Sequence, residues 1–249
     1  MKSTAKKIML AGLVALVIST MIPGTLLAED KPEADFSTGI YSQYVWRGYG
    51  LSDSSVVVQP SMSVSYKGFG VNFWGNIDTD SIVTGTKDWN ETDMTVSYDG
   101  AFGKIGYGVG WIYYNVDGID ETQELYLSIS GDTLLAPTLT FYNDIDSYPG
   151  YYVTLGISHS LPLGEGTALD LGAQVGYMND DEADYSEFHD GLISASMTFA
   201  VNDYVSVTPE LYYAFALTSE SETRIIDPGF SVDGEESHIY GGIIASFAF

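Results

Sequence analysis

"VVVQPSMSVSYKGFGVNFWGNID", residues 56–78, alternates apolar and polar side chains along two consecutive segments. Met62 and Val64 fall on one face of the first segment, whereas Ser61 and Ser63 fall on the other. A period of two is typical of β-strands with a single apolar face. Twelve segments of the chain follow this pattern, at 36–50, 55–67, 69–79, 88–99, 103–116, 121–130, 137–145, 150–160, 167–178, 190–201, 204–216 and 237–249.

The direction of the apolar face distinguishes two all-β folds. A soluble sandwich turns this face inward, whereas a membrane barrel turns it toward lipid. Each segment has about the 9–11 residues that a tilted strand needs to cross a bilayer. Short connections alternate with mostly longer acidic ones, as expected for short periplasmic turns and longer outer loops. We therefore predict a transmembrane antiparallel up-and-down β-barrel of about 12 strands. Ten or fourteen strands are the alternatives, because 121–130 is a thin segment and 217–236 has room for a hairpin.

Aromatic side chains on the predicted lipid face collect at the ends of the segments, as in the interfacial girdles of membrane barrels. The chain also ends in the aromatic strand "IIASFAF", residues 243–249, which resembles the assembly signal of bacterial outer-membrane barrels. We expect the barrel assembly machinery to bind this strand, and outer-membrane lipid and lipopolysaccharide to surround the barrel. The predicted outer girdle comprises Trp46, Trp111, Tyr113, Tyr177, Tyr213 and Phe215, and the inner girdle comprises Tyr66, Phe69, Tyr98, Tyr107, Phe199, Phe247 and Phe249.

The first 28 residues have a basic start, an apolar run and a break before Ala28, which is typical of a secretory signal peptide. An uncleaved membrane anchor is the alternative. We predict a signal peptide at 1–28, a periplasmic segment at 29–35 and a barrel domain at 36–249, located in the outer membrane of a Gram-negative bacterium. The chain contains no cysteine, which excludes disulfides, thiolate metal sites and cysteine nucleophiles.

The charge of the chain limits its partners. The signal carries three of the nine basic residues and no acidic one, which leaves six basic against 34 acidic residues. Such a balance disfavours binding to nucleic acid and direct contact with anionic lipid headgroups. We therefore expect no nucleic-acid partner.

"YSQYVWRGYGLSDSSVVVQPSMSVSYKGFGVNFWGNID", residues 41–78, resembles the opening of a proteobacterial family of exported proteins of unknown function, the Gcw-chp type. The shared pattern is Tyr44 to Gly48, then Ser52 and Asp53, then Trp74 to Asp78. The stretch 207–213, "VTPELYY", is also similar. The resemblance implies an exported, β-rich protein and implies no activity.

The polar face of a membrane barrel lines its lumen, and here that face is mainly acidic. An acid-lined, water-filled path favours small cations or neutral solutes over anions. We predict a narrow passive channel. The alternative is a closed structural or adhesive barrel with acidic surface loops, its lumen packed by charge networks and tyrosines. The predicted lumen-lining charged residues are Arg47, Asp78, Asp93, Lys104, Glu124, Asp144, Asp170 and Glu210.

Arg47 is expected to turn inward from the first strand, because a lipid-facing arginine costs roughly 2–4 kcal/mol at mid-depth. Strand direction places Asp78, Asp93 and Glu124 at a similar height on other walls. The planar guanidinium holds carboxylates with defined geometry, so we expect Arg47 to tie the first strand to this acidic wall and narrow the path. A rim arginine that reaches lipopolysaccharide phosphate is the alternative.

Enzymatic activity is not expected. His159 and His238 each adjoin a serine on the opposite face of a strand, so nucleophile and base do not converge. The carboxylates near His189 could supply an acid and a base in an outer loop. The acidic stretches 115–121 and 179–184 lack the spacing of a defined calcium loop, although loose divalent binding is consistent with them. We predict no cofactor and no defined metal site.

Overall fold

The computed structural model describes residues 31–53, 55–80, 88–164 and 167–249, so the predicted signal peptide at 1–28 lies outside the described residues. Twelve antiparallel wall strands form one closed barrel in which neighbours in the chain are neighbours in the wall. The wall strands are β1 (Glu33–Tyr41), β4 (Val57–Tyr66), β5 (Phe69–Asp78), β6 (Asp88–Phe102), β7 (Ile105–Val116), β8 (Thr122–Gly131), β9 (Thr138–Asp144), β10 (Gly150–Gly164), β11 (Thr167–Asp180), β12 (Tyr185–Asn202), β13 (Val205–Ala216) and β14 (Ser237–Ala248).

The barrel closes between its first and last wall strands. Ile40 of β1 pairs with Ile243 of β14 on one side and with Val58 of β4 on the other. Ala34 and Phe249 continue the seam through two reciprocal backbone hydrogen bonds of 3.2 and 2.8 Å. Lipid offers no partner for a free strand edge, so a sheet can span a bilayer only when it closes in this way. The predicted all-β, 12-stranded up-and-down barrel is confirmed.

The faces of the wall follow the alternation in the sequence. Met62 and Val64 are 51% and 47% exposed on the outside of β4. Ser61, which lies on the other face of the same strand, is only 8% exposed. An apolar exterior on a closed barrel is the architecture of an outer-membrane protein, in agreement with the predicted location. No helix among the described residues is long and apolar enough to cross a membrane.

Aromatic residues cluster outside the inner rim, as the sequence predicted. The rings of Phe69 and Tyr98 lie 4.8 Å apart, and Tyr107 follows at 6.5 Å from Tyr98. At the outer end, Trp111 stacks on Tyr113 with ring centroids 6.2 Å apart. These contacts place aromatic clusters at both ends of the wall.

Pro60 and Pro209 lie inside β4 and β13 without forming a bulge in either strand. Pro60 pairs with Thr38 of β1, but the ladder from β4 to β5 is interrupted at Pro60 and resumes in the same register. Pro209 likewise pairs with Ile243 while its ladder to β12 is interrupted without a shift in register. Each proline thus sits where one ladder does not require its missing N–H.

The first outer connection departs most from the predicted structure. β1 ends at Tyr41 rather than at residue 50, and residues 42–53 fold back into the lumen. Within them, β2 (Val45–Trp46) and β3 (Tyr49–Gly50) form a two-stranded sheet that is not part of the wall. We call residues 42–53, together with Ser55, the plug hairpin. Trp46 is only 3% exposed, so its assignment to the outer girdle was wrong.

Two other outer connections also differ from the expected loops. Residues 181–184 form a tight turn, because β11 and β12 extend to Asp180 and Tyr185. The stretch 217–236 contains no additional hairpin; it begins with the short helix α1 (Ser219–Ile225), whose N-cap is Thr218. We call residues 217–236 the lid loop, since it lies against the plug hairpin.

Removal of Phe249 tests the closing seam. Deleting the residue removes both backbone hydrogen bonds to Ala34, and we expect less folded barrel, measured as the heat-sensitive band on a gel of outer-membrane fractions. Phe249→Ala keeps the backbone bonds and removes only the ring, so it separates seam closure from recognition of the aromatic terminus. Native protein in the soluble periplasm would contradict the predicted location.

Candidate functional site

The tip of the plug hairpin is a two-residue turn that points Arg47 into the lumen. Arg47 and Gly48 both adopt positive φ angles, 45° and 85°, as two-residue hairpin turns of type I′ require. A side chain at Gly48 would also collide with Ile225 and crowd Asp190. Gly48 therefore gives the turn a residue that tolerates a positive φ and has no side chain, at the point where the hairpin contacts the lid loop and the wall.

Arg47 makes a bidentate ion pair with Glu124 of β8. The Nη1–Oε1 and Nη2–Oε2 distances are 2.9 and 2.8 Å, and the two side chains are 9% and 6% exposed. The guanidinium also lies 4.3 Å from the ring centroids of Trp46 and Tyr152. Two aromatic faces and one carboxylate thus compensate the burial of a permanent charge.

Hydrogen bonds attach the base of the plug hairpin to the wall. The Tyr44 hydroxyl donates to Glu91 of β6 at 3.0 Å, and the Ser55 hydroxyl donates to Asp78 of β5 at 2.5 Å. Within the hairpin, the Tyr44 backbone N–H donates to Ser52 Oγ at 2.9 Å. The hairpin is therefore fixed at its base as well as at its tip.

The lid loop covers the plug hairpin from the outside. The backbone N–H of Val232 donates to the Gly50 carbonyl at 2.8 Å, and Phe230 stacks on Tyr49 with centroids 5.6 Å apart. The Arg224 guanidinium lies 3.5 Å from the Phe230 ring centroid. The lid loop and the hairpin therefore pack as one unit.

Asp233 is the polar centre of this contact. It accepts hydrogen bonds from Gln43 of the plug hairpin and from His238 of β14. Burial acts to raise the pKa of the Asp233 carboxyl, but the bonds from His238, Glu235 and Ser231 outweigh burial and lower the pKa. The carboxylate thus stays ionised to lower pH than a free aspartate.

Three of the predicted lumen residues are buried acids beside the plug hairpin. Asp78, Asp93 and Glu124 are 3%, 5% and 5% exposed. All three were predicted to lie at a similar height to Arg47, and of the three only Glu124 forms an ion pair with it. Glu124 also accepts a hydrogen bond from the Tyr114 hydroxyl at 2.8 Å.

The other predicted lumen residues are distributed along the barrel. Asp144 accepts hydrogen bonds from Thr122 at the outer end, and Glu210 accepts from Tyr41 and Tyr212 at 2.9 and 2.7 Å. Asp170 is half-buried on β11. Lys104 does not lie on the wall, because it occupies the turn after β6, where its side chain is exposed. The predicted inward face of β7 was extended one position too far, into that turn.

Sequence reasoning missed two carboxylates that the structure places inside the barrel. Glu91 of β6 and Asp190 of β12 are each 3% exposed. Asp190 accepts a hydrogen bond from the Tyr152 hydroxyl at 2.7 Å. Both could have been found by extending the inward faces of their strands by one step, from Asp93 to Glu91 and from Leu192 to Asp190. Asp190 was instead counted among the carboxylates near His189 in a predicted outer loop.

Two cavities occupy the lumen around the Arg47–Glu124 pair. One cavity, of about 110 Å³, lies toward the middle of the barrel beneath the plug hairpin. The second, of about 50 Å³, lies at the outer end between the wall and Phe230. Arg47 lines both cavities, so its layer of side chains separates them. Toward the periplasm many of the inward wall positions are small, and these include Ser37, Ser63, Ser97, Gly108, Ser128 and Ser196.

The histidines do not assemble a hydrolytic site among the described residues. His159 Nδ1 lies 2.8 Å from the Leu134 carbonyl oxygen near the inner rim. His189 is fully buried on β12, where it bonds to the Tyr185 hydroxyl and packs against Tyr49; it is not in an exposed loop. Across the part of the chain that the structure covers, no three histidine or acidic side chains are arranged to hold a metal ion.

Comparison with known proteins gives structural but not sequence relatives. No family model matches the chain, and no curated protein matches it. The KdgM porin superposes with a TM-score of 0.57 at 11% identity, over 87% of this chain and 99% of that chain. A structure of the KdgM porin in complex with disordered oligogalacturonate gives a TM-score of 0.56 at 11% identity, over the same shares. The NanC porin gives 0.53 at 11% identity, over 86% and 98%. The chain has the fold of outer-membrane porins. Its resemblance to the Gcw-chp type family stays a prediction.

The buried ion pair predicts a specific pattern of stability. Arg47→Met leaves Glu124 buried without its cation, and we expect a loss of about 3–5 kcal/mol in the free energy of unfolding. Arg47→Met combined with Glu124→Gln should recover most of that loss, because no unpaired charge is left. Urea unfolding in lipid vesicles, followed by tryptophan fluorescence, measures both. Lys104→Met is the matched control, and an Arg47→Met barrel as stable as this control would contradict the assignment.

Proposed function

We propose that the protein is a passive outer-membrane channel for small neutral or cationic solutes, with the plug hairpin as its constriction. The observation that carries this proposal is the pair of cavities on either side of the Arg47–Glu124 layer. Solute crossing the barrel would have to pass only this layer and the lid loop. The porin fold and the small side chains on the periplasmic half of the wall support the same conclusion.

The charge of the lumen supports a preference against anions. Buried carboxylates on the wall include Asp78, Glu91 and Asp93, while the guanidinium of Arg47 is committed to Glu124. A wall of one sign repels solutes of that sign. The KdgM porin has been observed with oligogalacturonate, an acidic saccharide, whereas the lumen described here would disfavour such a polyanion.

A closed structural barrel is the second candidate, and the burial of the plug hairpin favours it. Trp46, Tyr49 and Leu51 are 3%, 2% and 8% exposed, as in a packed protein core. Outside the barrel, the turn at 181–184 presents exposed acidic side chains. In this alternative the plug hairpin would stabilise the barrel, and the acidic turns would form a surface for lipopolysaccharide or for adhesion.

Planar-bilayer recordings separate the two candidates. We expect the purified protein to give discrete conductance steps, and Arg47→Ala to increase the step size because the guanidinium no longer fills the constriction. Arg47→Lys should restore the smaller step only in part, since an ammonium cannot make the bidentate contact with both carboxylate oxygens of Glu124. Lys104→Ala should leave the step unchanged. Absence of conductance from both the native protein and Arg47→Ala would favour the closed barrel.

Ion selectivity tests the sign of the charge on the lumen wall. Cations should pass more readily than anions at low salt, and the preference should fade as salt screens the wall. Replacing Glu210 by Gln and Asp93 by Asn together should weaken the preference, measured as the reversal potential across a salt gradient. Asp181→Asn, in an exposed turn, is the matched control. A pore that prefers anions would contradict the acidic lumen.

A further inference from the structure

The larger cavity has room for more than a single water. Its roughly 110 Å³ is several times the 10–15 Å³ that a cavity needs to hold one water, so it has room for a cluster of waters or for part of a small polar ligand. The plug hairpin closes the cavity toward the outside, whereas small wall residues lie toward the periplasm.

Part of the cavity wall consists of neutral polar groups without protein partners. Gln174 of β11, Thr154 of β10 and Tyr240 of β14 line it. Within the described ranges, the Gln174 amide and the hydroxyls of Thr154 and Tyr240 have no hydrogen-bond partner in the chain. Polar groups inside proteins are normally bonded, so these three groups are available to water or to a ligand. Together they offer both donors and acceptors.

A second part of the same wall is aromatic. Tyr212 and Tyr240 stack on neighbouring strands with ring centroids 5.0 Å apart and an interplanar angle of 17°. The Tyr212 hydroxyl donates to Glu210, which fixes that ring in place. A rigid aromatic surface beside a few polar groups is the usual composition of a site for a small ligand. Apolar C–H faces combined with many hydroxyls are the chemistry of a saccharide ring.

The charges around the cavity determine which saccharides fit. Asp190 brings a carboxylate to its wall, and the Glu210 carboxylate lies next to the wall, where it accepts a hydrogen bond from the lining Tyr212. Arg47 lines the cavity as well, but its guanidinium is bound to Glu124. An acidic sugar would therefore meet carboxylates and no uncommitted guanidinium.

We propose that this cavity is a binding site for one unit of a neutral saccharide. Tyr212 and Tyr240 would pack against the ring, and Gln174 and Thr154 would bond to its hydroxyls. The inference deepens the proposed channel by naming its solute class, and it rests on that function only for passage across the membrane. Binding itself requires the folded barrel and does not require conduction.

Calorimetric titration of the detergent-purified, full-length barrel tests the site. Maltose and cellobiose serve as neutral probes, and digalacturonate serves as the acidic probe. We expect saturable binding of at least one neutral disaccharide and weaker or no binding of digalacturonate. Gln174→Met preserves the side-chain length and should weaken binding about tenfold, the loss of one to two hydrogen bonds. Tyr240→Phe should weaken it less, because the ring is kept.

Gln123→Met is the matched control, since Gln123 bonds to Trp111 on the outside of the barrel. The heat-sensitive gel band verifies that each variant is folded, and Tyr240→Phe covers the case in which Gln174→Met does not fold. Absence of binding by both neutral probes to folded protein, or tighter binding of digalacturonate, would overturn the site. A barrel that binds sugar without conducting would refute the channel alone, and a conducting barrel that binds no neutral sugar would refute the site alone.

Discussion

The structure depends on one constraint: no backbone N–H or C=O may face lipid without a partner. Twelve strands satisfy it by closing the sheet between β1 and β14. Closure then fixes the direction of every side chain, because alternate residues must face lipid or lumen. The apolar residues take the outside, so the serines, glycines and carboxylates of the same strands have to share the inside. The carboxylates therefore line the lumen because the membrane takes up the apolar face of every strand.

The plug hairpin resolves a second constraint, which closure itself creates. A 12-stranded wall encloses more space than its own side chains fill, and carboxylates directed into that space need partners. Arg47 provides the positive charge, and Trp46 and Tyr152 provide its aromatic surroundings. The lid loop completes the arrangement through Val232 and Asp233. One inserted segment therefore fills volume and neutralises a buried acid at the same time.

The wall could be predicted from the sequence because a strand in lipid has a strict period of two. Most strand ends were placed within three residues, and the inward direction of Asp78, Asp93 and Glu124 followed from counting. The plug hairpin could not be predicted in this way. Residues 42–50 keep the alternation of β1, so Trp46 looked like an outward girdle residue. Only the packing of this segment against β8, β10 and the lid loop distinguishes an inserted hairpin from a longer strand. The choice of Glu124 as the partner of Arg47 has the same origin.

The sequence separations of the plug contacts have a consequence for the order of folding. Arg47 and Glu124 are 77 residues apart, and Gln43 and Asp233 are 190 apart. Contacts between such distant segments form late, because the chain between them must first be ordered. The plug hairpin follows β1, the first strand of the barrel, yet it becomes fixed only when the lid loop and β14 have arrived. The seam between β1 and β14 joins residues that are equally far apart in the chain. The plug hairpin would thus become fixed at about the stage at which the wall closes.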